Sequence, residues 1–307
     1  MNDYSGLMKL VRHSFCSQSR SLMKQKKSRL LSFAWVILVL GLIIFTDTSN
    51  AGDGDDLVEA AYTGNLTKIR ALLKKGVDVD YKDRVSETAL MAASQTGHEA
   101  IVQTLLANDA KIDQPSKKGA TALMKASQTG HEAIVRVLLA RDAKIDYQHK
   151  SGFTALMIAS QNGHEAIVQV LLDKGAKVDL EDNQGDTALM IASQDGHEVV
   201  VQALLSKGAK IDQQNKQGAT VLMIASQDGH EAIVQTLLAK GANIDQQSKQ
   251  GVTALMIASQ EGHEAIVQIL LAKDANVNLR ENGGGTALKF AETQQIKKLL
   301  KAAGATE

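Results

Sequence analysis

A Gly-His-Glu triplet returns at His98, His131, His164, His197, His230 and His263, each 33 residues after the last. A fixed period of this length marks a stacked-repeat architecture, and it limits the possible folds more than any single motif does. It divides the chain into full units at 81–113, 114–146, 147–179, 180–212, 213–245 and 246–278. A degenerate copy (54–80, with Gly64-Asn65 where Gly-His would stand) precedes them, and a shortened copy, 279–307, follows.

Each unit reads as two short antiparallel helices and a hairpin-like loop. In 147–179, Thr154 can cap a helix start with its hydroxyl, and Leu156 and Ala159 follow at helical spacing. Gly163 falls where a left-handed residue must end that helix. Glu165 opens the second helix, at the positive end of its dipole. Ile167, Val168, Leu171 and Leu172 make one apolar stripe, and Gly175 ends the helix. One unit cannot bury that stripe alone, but stacked neighbours can. The end copies carry the polar faces this requires: Asn65, Lys68, Arg70, Lys74 and Lys75 in the first, Gln294, Gln295, Lys297, Lys298 and Lys301 in the last. The expected fold is an all-α repeat solenoid over 52–307, preceded by an apolar helix at the N-terminus.

The motifs G-x-T-A-L-M-x-A, G-H-E-A-I-V and L-L-x-x-G-A, at this period, resemble the ankyrin repeat family over residues 54–307. The resemblance implies stacked helix-turn-helix units with hairpin-like loops and a protein-binding role. There are departures. The family's T-P-L-H reads T-A-L-M, as at Thr187-Ala188-Leu189-Met190. Without the Pro, φ at the first helical position is no longer fixed, and without the His a polar tie between turns is lost. The helices should survive, with looser turns. Asp109, Asp142 and Asp274 replace the glycine after the second helix, which implies strain.

The start of the chain has the three parts of an export signal. Met23-Lys-Gln-Lys-Lys-Ser-Arg29 is basic, Leu30 to Phe45 is apolar, and Ser49 and Ala51 are small. The apolar stretch of 16 residues would span about 24 Å as a helix, short of the roughly 20 residues a full crossing prefers. Cleavage after Ala51 is the expected outcome, with residues 1–51 forming the leader and Met23 as the working start. An uncleaved anchor with its basic end in the cytoplasm is the alternative. Both routes place the repeats in the periplasm or outside the cell. The single cysteine, Cys16, precedes the repeats, so no disulfide within the chain is possible.

Charge and motifs exclude several functions. Residues 1–51 hold seven basic and two acidic side chains, which leaves 27 basic and 32 acidic in the remainder. A mildly acidic repeat domain argues against nucleic acid as a partner. His131-Glu132 begins like a zinc-protease helix, but Val135 stands where the second imidazole is needed. The repeated histidines are therefore expected to stabilise turns. The aspartates closing each unit (Asp80, Asp113, Asp146, Asp179, Asp212, Asp245, then Asn278) should hydrogen-bond loops across repeats, because no set of several oxygens per calcium ion is evident. Gly283-Gly284-Gly285 lacks the Lys-Ser/Thr of a phosphate loop, and no G-x-S-x-G occurs. No catalytic residue, metal site or cofactor is expected.

What differs between copies is informative. The loop tips vary at Lys118, Lys150, Asn183 and Lys216, and so does the position before each Gly-His, at Asn162, Asp195 and Asp228. A glutamine precedes that position in every full copy, among them Gln128, Gln161, Gln194 and Gln227. The family resemblance implies that these rows line a concave groove. Aromatics make up 3% of the chain, so Tyr147 and Phe153 in one unit suggest the centre of a contact surface. The expected function is an exported scaffold that binds a protein through its concave face and loop tips. A membrane-tethered adaptor and a secreted effector acting on a host protein are the alternatives.

Overall fold

The computed structural model describes residues 52–306. The leader, its apolar helix, Met23 and the cleavage point after Ala51 lie outside the described residues. Within them are sixteen helices and no strand. They pair as α1 (Asp53–Tyr62) with α2 (Leu66–Lys74), α3 (Ala89–Thr96) with α4 (Glu99–Ala107), and α5 (Ala122–Thr129) with α6 (Glu132–Leu139). Next come α7 (Ala155–Gln161) with α8 (Glu165–Asp173), α9 (Ala188–Gln194) with α10 (Glu198–Ser206), and α11 (Val221–Asp228) with α12 (Glu231–Ala239). The last pairs are α13 (Ala254–Glu261) with α14 (Glu264–Leu271) and α15 (Ala287–Phe290) with α16 (Gln294–Ala302). The first helices of successive pairs pack on one another in one layer, and the second helices form a parallel layer behind them.

The local signals act as their chemistry requires. The hydroxyls of Thr88, Thr121, Thr154, Thr187, Thr220 and Thr253 each accept from the amide three residues on, for example Met157 N at 3.2 Å from Thr154 Oγ1. Each satisfies an otherwise orphaned helix donor. The core runs unbroken through the array. Leu156, Met157, Ala159, Ile167, Val168 and Leu171 of one unit are each at most 2% exposed. The methionine that stands in the family's histidine position is core throughout, at Met91, Met124, Met157, Met190, Met223 and Met256.

Other side chains tie the repeats where that exchange removes a polar one. Each repeated histidine lays its ring on the glycine of the preceding unit. Its Nε2 reaches a carbonyl 36 residues back: His131 to Gln95 O at 3.1 Å, His164 to Gln128 O at 3.1 Å, His197 to Gln161 O at 3.1 Å, His230 to Gln194 O and His263 to Gln227 O at 3.0 Å. The terminal aspartates make a second ladder. Asp80, Asp113, Asp146, Asp179, Asp212 and Asp245 each accept through Oδ1 from the amide 31 residues on, at 2.8–3.0 Å. Asn278 continues it with Thr306 N at 2.8 Å. Asp109, Asp142 and Asp274 do take the left-handed conformation, with φ of 62°, 62° and 61°.

Candidate interaction surface

The loop between units folds into a short finger that closes on itself. In 147–179, His149 N donates to Phe153 O at 3.0 Å and Gly152 N to His149 O at 2.8 Å. In 213–245, Asn215 Oδ1 accepts from Gln217 N at 3.0 Å and Ala219 N at 2.9 Å. Neighbouring fingers then join at their tips. Lys150 N donates to Lys118 O at 3.3 Å, Asn183 N to Ser151 O at 3.0 Å and Lys216 N to Gln184 O at 2.9 Å. Side chains repeat the tie: Asn183 Nδ2 to Lys150 O at 2.9 Å, and Lys216 Nζ to Asn183 O at 2.9 Å. The tip residues Lys118, Lys150, Asn183 and Lys216 are exposed; all four join neighbouring fingers through backbone atoms, and Asn183 and Lys216 do so through their side chains as well.

Sequence reasoning missed a third tie. Gln148 Nε2 donates to Gly152 O of its own finger (2.7 Å) and to Glu181 O of the next (2.8 Å). Gln214 does the same with Gly218 O and Gln247 O at 2.8 and 2.9 Å, and Gln247 with Gly251 O and Arg280 O at 2.7 and 3.0 Å. A glutamine recurring at spacings of 66 and 33 residues was the available signal.

The glutamine row sits in the last turn of the first helices. Gln128 and Gln194 are exposed, Gln161 and Gln227 half-buried, and their carbonyls serve the histidine ladder. Asn162 is exposed and donates through Nδ2 to Ile158 O at 2.8 Å. Asp195 and Asp228 stand half-buried at the corresponding helix ends. One row escaped notice. Ile158, Ile191, Ile224 and Ile257 follow one another along the first helices, and Lys125 takes their register in 114–146. Lys125 pairs there with Glu87 of the preceding unit and reaches Gln95 Oε1 at 3.1 Å. Asp186, in the register of Phe153, is held above the usual carboxylate range by burial, against the hydrogen bond from Asn215 that works the other way.

Tyr147 and Phe153 both pack half-buried against the core. The Phe153 ring stacks on His149 with centroids 5.5 Å apart and planes 15° from parallel. His149 Nδ1 accepts from Ser151 N at 2.9 Å, which places the ring proton on Nε2. Burial pushes the imidazole below its ordinary pKa of 6.5, with Asp182 opposing. A group whose folded pKa is lowered binds fewer protons folded than unfolded, so its contribution is present above pH 6.5 and fades as pH falls through the lowered value. The His149→Gln protein should therefore lose less melting temperature than the wild type between neutral pH and pH about 5. Parallel thermal melts check this, and equal slopes would contradict it.

Among the described residues no group of three or more His, Cys, Asp or Glu side chains could hold a metal ion, and no helix is long and apolar enough to cross a membrane. The six repeated histidines are spent on inter-repeat bonds one repeat apart. The geometry is that of a stiff row of fingers and helix ends, suited to recognition.

Comparison with known proteins agrees. The family described as ankyrin repeats (3 copies) matches residues 57–149, 142–215, 200–281 and 222–305, nearly the whole described array. The crystal structure of the human ASB11 ankyrin repeat domain superposes with a TM-score of 0.66 at 25% identity, over 72% of this chain and 100% of that one. No curated protein matches the sequence. Ankyrin repeats are in general protein–protein interaction scaffolds, and the fold is typically non-catalytic. With the 33-residue period, the paired helices, the finger loops and the family match all in accord, this chain belongs to the ankyrin repeat family.

Proposed function

We propose that the array is an exported scaffold that holds a protein partner along its fingers and first helices, the concave face of an ankyrin stack. The carrying observation is the triple tie between fingers, through tip amides, tip side chains and the forked glutamines. Loops already fixed by such bonds lose little conformational entropy on binding, so contacts made there go largely into affinity. Export is supported by the composition of residues 23–51: a basic start, an apolar run and small residues before an acidic segment.

The test joins two measurements. Cell fractionation with intact-mass analysis should find a species lacking residues 1–51 outside the cytoplasm. Crosslinking in that compartment should trap a partner whose yield drops about tenfold or more in Tyr147→Ala and Phe153→Ala, as expected for aromatic anchors. A full-length chain in the cytosol would remove the export half. Unchanged crosslinking would remove these two residues from the contact, and a collapsed melting temperature would make them core residues.

A further inference from the structure

The forked tie between fingers is made at Gln148, Gln214 and Gln247 and is interrupted at two other positions. In the fingers from 147 onward the Gln148 register holds Gln148, Gln214, Gln247 and Arg280, which donate, and Glu181, whose carboxylate only accepts, here from Gln213. In 114–146 that register holds Pro115, the only proline of the chain. Proline has no side-chain donor, so the forked bond to its own finger and the next cannot be made there. A depression of about 470 Å³ lies at this break, open to solvent, between the fingers of the first three full units.

Its lining is one-sided in charge. Lys82, Lys117 and Lys150 border it, with Tyr147 and His149, and none of the lining residues is acidic. Lys82 Nζ is held by Pro115 O at 2.8 Å. The ammonium groups of Lys117 and Lys150 and the Tyr147 hydroxyl have no partner among the described residues. His149 has committed Nδ1 to Ser151 N, which leaves Nε2 as the ring's donor. A further lining residue is strained: Ser86 takes φ +63° in the register where the later fingers carry glycine, as at Gly119, Gly152 and Gly185. Left-handed serine is uncommon, and such outliers concentrate at functional sites.

We infer that this break in the finger row is a docking site for an acidic peptide segment, its Asp or Glu carboxylates received by Lys117, Lys150 and the Tyr147 hydroxyl. Three lysines with no acid among them raise the local potential, and carboxylate oxygens supply the acceptors these donors lack. The inference names the partner chemistry for one end of the scaffold surface and so rests on the protein-binding reading above. It also gives the two aromatics of 147–179 distinct tasks. Tyr147 lines the depression, while Phe153 braces His149 from behind.

The experiment uses the full-length protein and a fluorescein-labelled oligoglutamate peptide, read by anisotropy at low and high salt. Binding should weaken with salt. It should fall about tenfold or more in the double variant Lys117→Ala/Lys150→Ala, both exposed side chains whose loss leaves the fold intact. Pro115→Gln restores the forked glutamine and fills the break. It should weaken the peptide while raising the melting temperature. Superimposable titrations for wild type and the double variant would overturn the site. So would displacement of the peptide by an equal concentration of inorganic phosphate, since the site would then take simple anions. If a crosslinked partner persists in the double variant, the site falls and the scaffold reading stands. If the peptide depends on the lysines while no partner is ever trapped, the scaffold reading falls and the site stands.

Discussion

Alanine at all six of Ser94, Ser127, Ser160, Ser193, Ser226 and Ser259 should raise the melting temperature of the array. Each serine lies inside a first helix at 0% exposure, and its hydroxyl has no hydrogen-bond partner. A buried hydroxyl that loses water and gains nothing costs about 1–3 kcal/mol. Alanine removes that cost, leaves only a small void and is the better helix former. About 1 kcal/mol per site is a cautious figure once the void is subtracted. The sites fall one per repeat, so the effects should add to roughly 6 kcal/mol. For a domain of this size that is about 10–20 °C, read by thermal denaturation of the sextuple variant. No change, or a fall, would mean that each hydroxyl finds a partner in solution.

The second large effect is destabilising and concerns one turn. Gly163 has φ +68°, and a Cβ built on it would lie 2.6 Å from Nδ1 of His197. Gly163→Ala therefore suffers twice. The left-handed conformation costs a residue with a Cβ about 1–2 kcal/mol. The displaced imidazole loses its bond to Gln161 O, about 1 kcal/mol more. The expected loss is about 2–3 kcal/mol, which is large beside the effect of most single substitutions. A double-mutant cycle separates the causes. With His197→Ala already present, Gly163→Ala should cost only the backbone share, so the two changes should be sub-additive by about 1 kcal/mol. Strict additivity in denaturant melts would show that ring and glycine do not touch.

Much of this was legible in the sequence, for a physical reason. A helix cap or a left-handed turn is decided within a few residues, so Thr154, Gly163 and Asp142 could be read directly. The histidines and the closing aspartates were legible because strict periodicity turns a local position into a cross-repeat neighbour. The tip ties were not. Whether Lys216 Nζ meets water or the Asn183 carbonyl depends on how two adjacent fingers superpose, and a variable position looks solvated either way. Lys125 was passed over because its partner, Glu87, lies 38 residues earlier. Phe153 stands out in the sequence as the aromatic among the finger residues in its register. Its stacking on His149 depends on a ring orientation that spacing does not specify.

The two ladders share a property that bears on how such a chain can change over time. Histidine bonds reach 36 residues back and aspartate bonds 31 residues forward, and each joins a unit only to the adjacent one. Excising 180–212 would bring Asp179 opposite Asn243 and His230 opposite Gln161, the same residue types that already meet elsewhere in the stack. Whole modules can thus be lost or duplicated with every joint remade, while a deletion of any other size leaves two joints out of phase. The number of repeats becomes a quantity free to change in integer steps, and the reach of the surface changes with it.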